Sequence, residues 1–256
     1  MRAHPRVSVN SLSSVQQSLP EDIAMWHDLG IDHVGLMAPK LEAAGWDVAA
    51  RLITGDGFRV STVAGDRAVV PESLEFAAAT GGGCVYVQSG PAGPRTWEEA
   101  ADEFCQAFGP LSAHAGRLGV RLAVEPTNPL RTDRSFVFTL RDAVDLARGA
   151  GIGVVFDIFS VWYERGVADL VRRNIDLVVL VQFCDFVIGT LDLPNRAVPG
   201  DGDVPLERLF ALVLDAGYQG AFDLEVLGPR IEAEGYASAV RRSVEHASEI
   251  LERLGA

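Results

Sequence analysis

Residues 178–186 read VVLVQFCDF, an aliphatic run that ends on Gln182 with Asp185 three residues further on. A run of this kind suits a strand inside a sheet, and polar side chains belong where such a strand comes out of the core. The same signature recurs on either side: RLAVE (121–125) closes on Glu125, GVVFD (153–157) closes on Asp157, and in FDLEV (222–226) Glu225 follows the apolar stretch. Working outward, RVSVNS from 6, DHVGL from 32, FRVSTV from 58 and CVYVQS from 84 complete a set of eight strand candidates. Amphipathic stretches separate them, such as 20–30, 96–119, 139–151 and 206–220, several stopped by a glycine suited to a helix C-terminus.

Eight βα units in 256 residues have the size and rhythm of a TIM barrel. No Pro/Gly/Ser linker or shift in composition divides the chain, so the expectation is an α/β protein with a single (β/α)8 barrel domain over 1–256. A doubly wound open sheet is the alternative, but its glycine-rich fingerprint is missing after the first strand.

A net charge of −13 with no basic run speaks against a nucleic-acid partner. Polar residues follow the N-terminal MRAHP, and no apolar run is long enough to cross a bilayer, so the expectation is a cytoplasmic protein without a membrane partner. Cys84, Cys105 and Cys184 are odd in number and far apart, which fits reduced thiols better than a disulfide frame or a zinc-thiolate site.

In a barrel of this kind the chemistry sits at the C-terminal ends of the strands. Glu125, Asp157, Gln182 and Glu225 occupy those positions on strands 5, 6, 7 and 8, neighbours around the rim. One acidic residue at a strand end is most often a cap or an arginine partner, but four oxygen ligands on consecutive strands form a pattern. Three carboxylates buried together repel one another unless a cation sits among them, so the set predicts a divalent metal. Oxygen donors suit Mn²⁺, Mg²⁺ or Co²⁺. Gln182 then serves as the neutral fourth ligand, its amide within reach of Asp185.

The segments LAVEP (122–126), VVFDIFSVW (154–162), VQFCDF (181–186), RAVPGDGDVPLERLF (196–210) and GYQGAFDLEVLG (217–228) resemble the sugar phosphate isomerase/epimerase group of xylose isomerase-like TIM barrels. The resemblance covers roughly the C-terminal half, the N-terminal half matching in strand rhythm only. It implies metal ligation by Glu125, Asp157, Gln182 and Glu225, and substrate binding beside the metal by Arg196. Two positions depart from the common pattern: Gln182 stands where many members have His, and Ser160 replaces the His of a D-x-x-H motif.

The expected activity is metal-dependent isomerisation or epimerisation by proton abstraction next to a carbonyl, on a sugar, sugar acid or cyclitol. Glu125 and Glu225 are the acid and base candidates. A lyase of the dehydroshikimate- or inosose-dehydratase type is the alternative, favoured by the changes at Gln182 and Ser160, and a metal-free ligand-binding barrel is a further one. Lys40, the only lysine, follows strand 2 and is expected to reach the pocket as an acid or an oxyanion contact. Ser160, Trp162 and His33 complete the candidate substrate contacts, with Phe159 and Trp46 as aromatic walls and Arg131 and Arg134 as loop charges. A small-molecule substrate and association of like chains complete the expected partners.

Overall fold

The computed structural model describes residues 3–256. Eight parallel strands close a barrel in chain order: β1 Val7–Asn10, β2 His33–Met37, β3 Arg59–Gly65, β4 Cys84–Gln88, β5 Arg121–Glu125, β6 Gly153–Asp157, β7 Val178–Phe183 and β8 Phe222–Leu224. Closure is made by β8 against β1, with Val7 opposite Phe222 and Val9 opposite Leu224. The chain is a single (β/α)8 TIM barrel, and every strand overlaps the stretch expected for it, β2 and β3 running one and two residues past its end.

Helix ends follow local chemistry. The long helix Trp97–Leu118 starts on a capping box in which the Thr96 hydroxyl accepts from the Glu99 amide and the Glu99 carboxylate from the Thr96 amide. It ends at Gly119, whose φ of +71° suits glycine. The stretch expected as helix over 206–220 stops at Asp215. Tyr218 turns inward instead, accepting from the Val181 amide and donating to the Ala221 carbonyl, so the chain leaves the helix to seat that ring under β7. Among the described residues, no helix is long and apolar enough to cross a membrane.

The apolar core lies mainly between the strands and the helical layer, with Trp26, Phe104, Phe108, Phe183, Phe210 and Phe222 essentially inaccessible. Inside the barrel the filling is more polar. Ser8, Asn10, Ser61, Thr62 and Asp223 are buried there, and Asn10 and Ser61 donate to the Asp223 carboxyl. Burial, with Glu225 nearby, pushes Asp223 up to about 7. Gly35 makes room for it, since a Cβ at that position would lie 2.7 Å from both Asp223 oxygens. Register then sets the rim: Gln88 pairs with Glu125 and Asp157 with Gln182, so polar strand ends from β4 to β7 reach the same end of the barrel.

Candidate active site

A cavity of about 610 Å³ opens at the C-terminal rim. Glu125, Asp157 and Glu225 line it, together with Arg196, Ser160, Tyr86 and Gln88. Gln182 is fully buried beside them, its amide nitrogen bonded to Glu225 Oε1. Alternation places Tyr86, Gln88, Glu125, Asp157 and Gln182 inward, because residues two apart on a strand share a face, whereas Ser160, Arg196 and Glu225 come from the segments that follow β6, β7 and β8.

Arg196 is the central cation. It comes from the long loop after β7 and donates to the Glu225 carboxylate at 2.8 Å and to the Glu225 carbonyl at 2.9 Å. Its other nitrogen lies 3.6 Å from Asp157 Oδ2, and the guanidinium stacks over Phe159 at 4.8 Å. Burial works against its charge, but Asp157, Glu225 and Glu125 outweigh burial and hold its pKa above the ordinary value. Ser160 donates to Asp157 Oδ2 at 2.7 Å and the Phe159 amide to Oδ1 at 3.1 Å. Tyr86 donates to Glu225 Oε1 at 2.7 Å and Gln88 to Glu125 Oε2 at 3.1 Å.

Burial raises all three carboxyls. Glu125 is held well above the usual carboxylate range, by desolvation first and then by the charges of Glu225 and Asp157. Arg196 pulls Glu225 and Asp157 back toward the charged form. The walls therefore differ in proton affinity, a requirement for acid and base roles in one site.

Three carboxyls face a single guanidinium, so the site lacks positive charge. Gln182 Oε1 is fully buried and has no hydrogen-bond partner. An all-oxygen donor set with a charge deficit and an orphaned carbonyl oxygen fits a hard divalent cation. As the side chains stand, Asp157 and Glu225 are turned to Arg196, and among the described residues no three His, Cys, Asp or Glu groups are gathered closely enough to enclose an ion.

Four expectations fail. Lys40 does not enter the cavity: its ammonium donates to Asp22 at 2.6 Å and to the Ser11 and Ser14 carbonyls at 2.8 and 2.9 Å. The helix that begins at Ala38 turns this side chain sideways, toward the helix Leu19–Leu29. His33 heads β2 and so sits at the N-terminal end of the barrel, opposite the rim, with Nδ1 3.3 Å from the Pro5 carbonyl. Trp162 leaves the short helical turn after β6 outward and lines a separate depression with Val167 and Arg208. Trp46 packs edge-on against Phe76 rather than walling the cavity.

Asp185 also has another task than partnering Gln182. Its carboxylate accepts from the amides of Phe186, Gly200, Gly202 and Val204, gathering the PGDGD turn around itself. Sequence reasoning passed over Tyr86 and Gln88. The rule that singled out Glu125 would have found Gln88, since it closes CVYVQ at the level of Glu125, and Tyr86 precedes it by two.

The family model for xylose isomerase-like TIM barrels matches residues 61–251. A curated inosose isomerase from Halalkalibacterium halodurans is 24% identical over 151 residues, 56% of this chain and 52% of that protein. The match thus spans about half the length of that relative. A solved structure of a Sinorhizobium meliloti 1021 protein superposes with a TM-score of 0.87 at 22% identity, over 96% of this chain and 98% of that one. The IOLI protein, solved with a zinc atom, superposes with a TM-score of 0.80 at 15% identity, over 97% and 99%. These structural likenesses speak to the fold.

Proposed function

The chain belongs to the xylose isomerase-like TIM-barrel family, and from that premise we propose that it is a divalent-metal-dependent isomerase or epimerase of a small polyhydroxylated carbonyl compound. The observation that carries this reading is the arrangement of Glu125, Asp157 and Glu225 around one cavity, with the orphaned Gln182 oxygen beside them. The inosose isomerase likeness and the zinc of the IOLI protein support it.

Glu125, Asp157, Gln182 and Glu225 are the residues that would hold the cation. When bound, the cation supplies positive charge that polarises a substrate carbonyl. The chain's own groups do the rest. Glu225, contacted by Arg196 and Tyr86, is favoured as the base that takes a proton from carbon. Glu125, whose carboxyl binds its proton more tightly, delivers one on the other wall. Tyr86 and Gln88 fix the two carboxyls in place, and Ser160 holds Asp157. Arg196 lies between two carboxylates and is positioned to take a substrate oxygen.

A second reading is dehydration, in which a carboxyl or Tyr86 of the same cavity would protonate a departing hydroxyl. The experiment is metal analysis of the purified protein, followed by a panel of polyhydroxylated aldehydes, ketones and cyclic ketones in deuterium oxide. Deuterium incorporation without loss of water is the expected result. A new ultraviolet-absorbing enone replaces isomerase by dehydratase, and neither product with metal present refutes both.

A further inference from the structure

We propose that the outer wall of the cavity is an anion subsite, in which Arg67 and Arg134 hold a carboxylate or phosphate group of the substrate with Thr127 on the wall beneath them. The inference builds on the function proposed above by giving its substrate a charged end. The chain carries a net charge of −13, yet Arg67, Arg131 and Arg134 all line this cavity. Arg131 is already neutralised by a two-pronged contact with Asp133, both distances being 3.0 Å. Among the described residues, Arg67 and Arg134 make no ion pair. Asp66, the other acid at the mouth, accepts from the Ala68 amide.

The chain segments that carry these two side chains are joined by Gly90. Its amide donates to the Arg134 carbonyl at 3.1 Å, and it bridges to Ser135, which ties the loop after β4 to the loop carrying Arg134. On its other side a Cβ at position 90 would lie 3.3 Å from Arg67 Nη1, and its φ of +79° suits glycine. Arg67 is further ordered by a 3.4 Å bond from Nη1 to the Ser89 carbonyl and by the rings of Phe104 and Phe108, at 5.7 and 5.4 Å. An independent sign of a ligand comes from Thr127: it is 6% exposed, lines the cavity, and its hydroxyl has no partner. Charge is thus divided along the cavity, acidic at the floor and basic at the mouth. A fork of guanidinium donors matches the oxygens of carboxylate and phosphate, and a hydroxyl adds a further donor.

The test is isothermal titration of chelator-treated protein with inorganic phosphate, D-gluconate and the uncharged D-glucitol. Both anions are expected to bind at least about tenfold more tightly than glucitol, a difference of about 1.4 kcal/mol. Tighter binding of phosphate assigns the subsite to a phosphate ester, and tighter binding of gluconate to a sugar acid. In Arg67→Gln/Arg134→Gln the preference disappears while the melting temperature stays within a few degrees of wild type, and Arg67→Lys/Arg134→Lys keeps part of the preference. Equal binding of all three probes, or an anion preference that survives the Gln pair, overturns the subsite. Deuterium exchange on uncharged substrates separates the two readings: exchange without anion preference sinks the subsite alone, and anion preference without exchange sinks the reaction alone.

Discussion

Lys40 sits in the fold where a lone charge would be costly, and Asp22 is what makes it tolerable. Asp22 is fully buried, and the Lys40 side chain is 10% exposed. Burial pushes Asp22 up to about 6 while Lys40 and Ser14 pull it down. Removing one member of such a pair costs about 3–5 kcal/mol, because the other charge is stranded. Lys40→Met is therefore expected to lower stability by about that amount at pH 7. An acid whose pKa is raised on folding binds its proton more tightly in the folded chain, so the fold gains as pH falls through the folded value toward the unfolded one. The loss in Lys40→Met should accordingly shrink between pH 7 and pH 5, as Asp22 takes up a proton. Urea unfolding at the two pH values checks this, and an equal loss at both rules out a stranded carboxylate. Tyr86→Phe makes the complementary case at the floor. It removes the hydroxyl that donates to Glu225 and should cost about tenfold or more in kcat without moving the melting temperature by more than a few degrees, which steady-state kinetics and a thermal scan read together.

At the scale of elements, strands were legible from sequence and side-chain directions beyond them were not. A strand buried on both faces announces itself by composition, and its C-terminal residues reach the rim by topology alone, which is why Glu125 and Asp157 at the ends of their strands and Gln182, one residue before the end of its own, lie at one level. Past the strand end the chain turns, and neither Lys40 nor Trp162 carried in its local sequence the direction of that turn. His33 was misplaced for a simpler reason: it opens its strand instead of closing it. Its position has a consequence for pH. Burial, aided by Arg59, lowers His33 to about 4, so the folded chain disfavours the imidazolium that the unfolded chain accepts near 6.5. The associated stability is present above pH 6.5 and lost as pH falls through 4, at no more than about 1.4 kcal/mol per pH unit. His33→Asn should flatten that part of the stability profile, and an unchanged slope would show that other groups set it. The loop after β7 is organised by Asp185, whose carboxylate gathers four amides, each worth about 1.5–3 kcal/mol and not additive. Because Asp185 also pairs through its backbone with Ala197, beside Arg196, Asp185→Ala should speed hydrogen exchange over 196–204 and raise KM severalfold. Exchange rates equal to wild type would detach Asp185 from the site.

On the scale of the whole molecule, the site sits at a seam of four strands. Glu125, Asp157 and Gln182 come from β5, β6 and β7 and Glu225 from the residue after β8, half of the barrel wall, and three of them are carboxyls crowded into a place almost closed to solvent. Metal-free barrel is therefore under electrostatic strain at its rim, with Arg196 as partial relief. A cation that binds only the folded arrangement stabilises it by about 2.7 kcal/mol at a concentration one hundred times its Kd. For a chain of this length that corresponds to a rise of about 5–10 °C in Tm. Mn²⁺ is expected to produce such a rise in chelator-treated protein, and chelator to reverse it. Glu225→Gln should lose the response to the cation: without metal it melts below the wild-type temperature, since the buried pair with Arg196 is broken, and with Mn²⁺ it gains almost nothing. Gln182→His should widen the metal-induced rise, because an imidazole donates more charge than an amide. Calorimetric scans of the three proteins with and without Mn²⁺ read all of this without reference to turnover. A wild-type Tm indifferent to every divalent cation tried would mean that Arg196 alone balances the rim, and that the orphaned Gln182 oxygen faces something other than a metal.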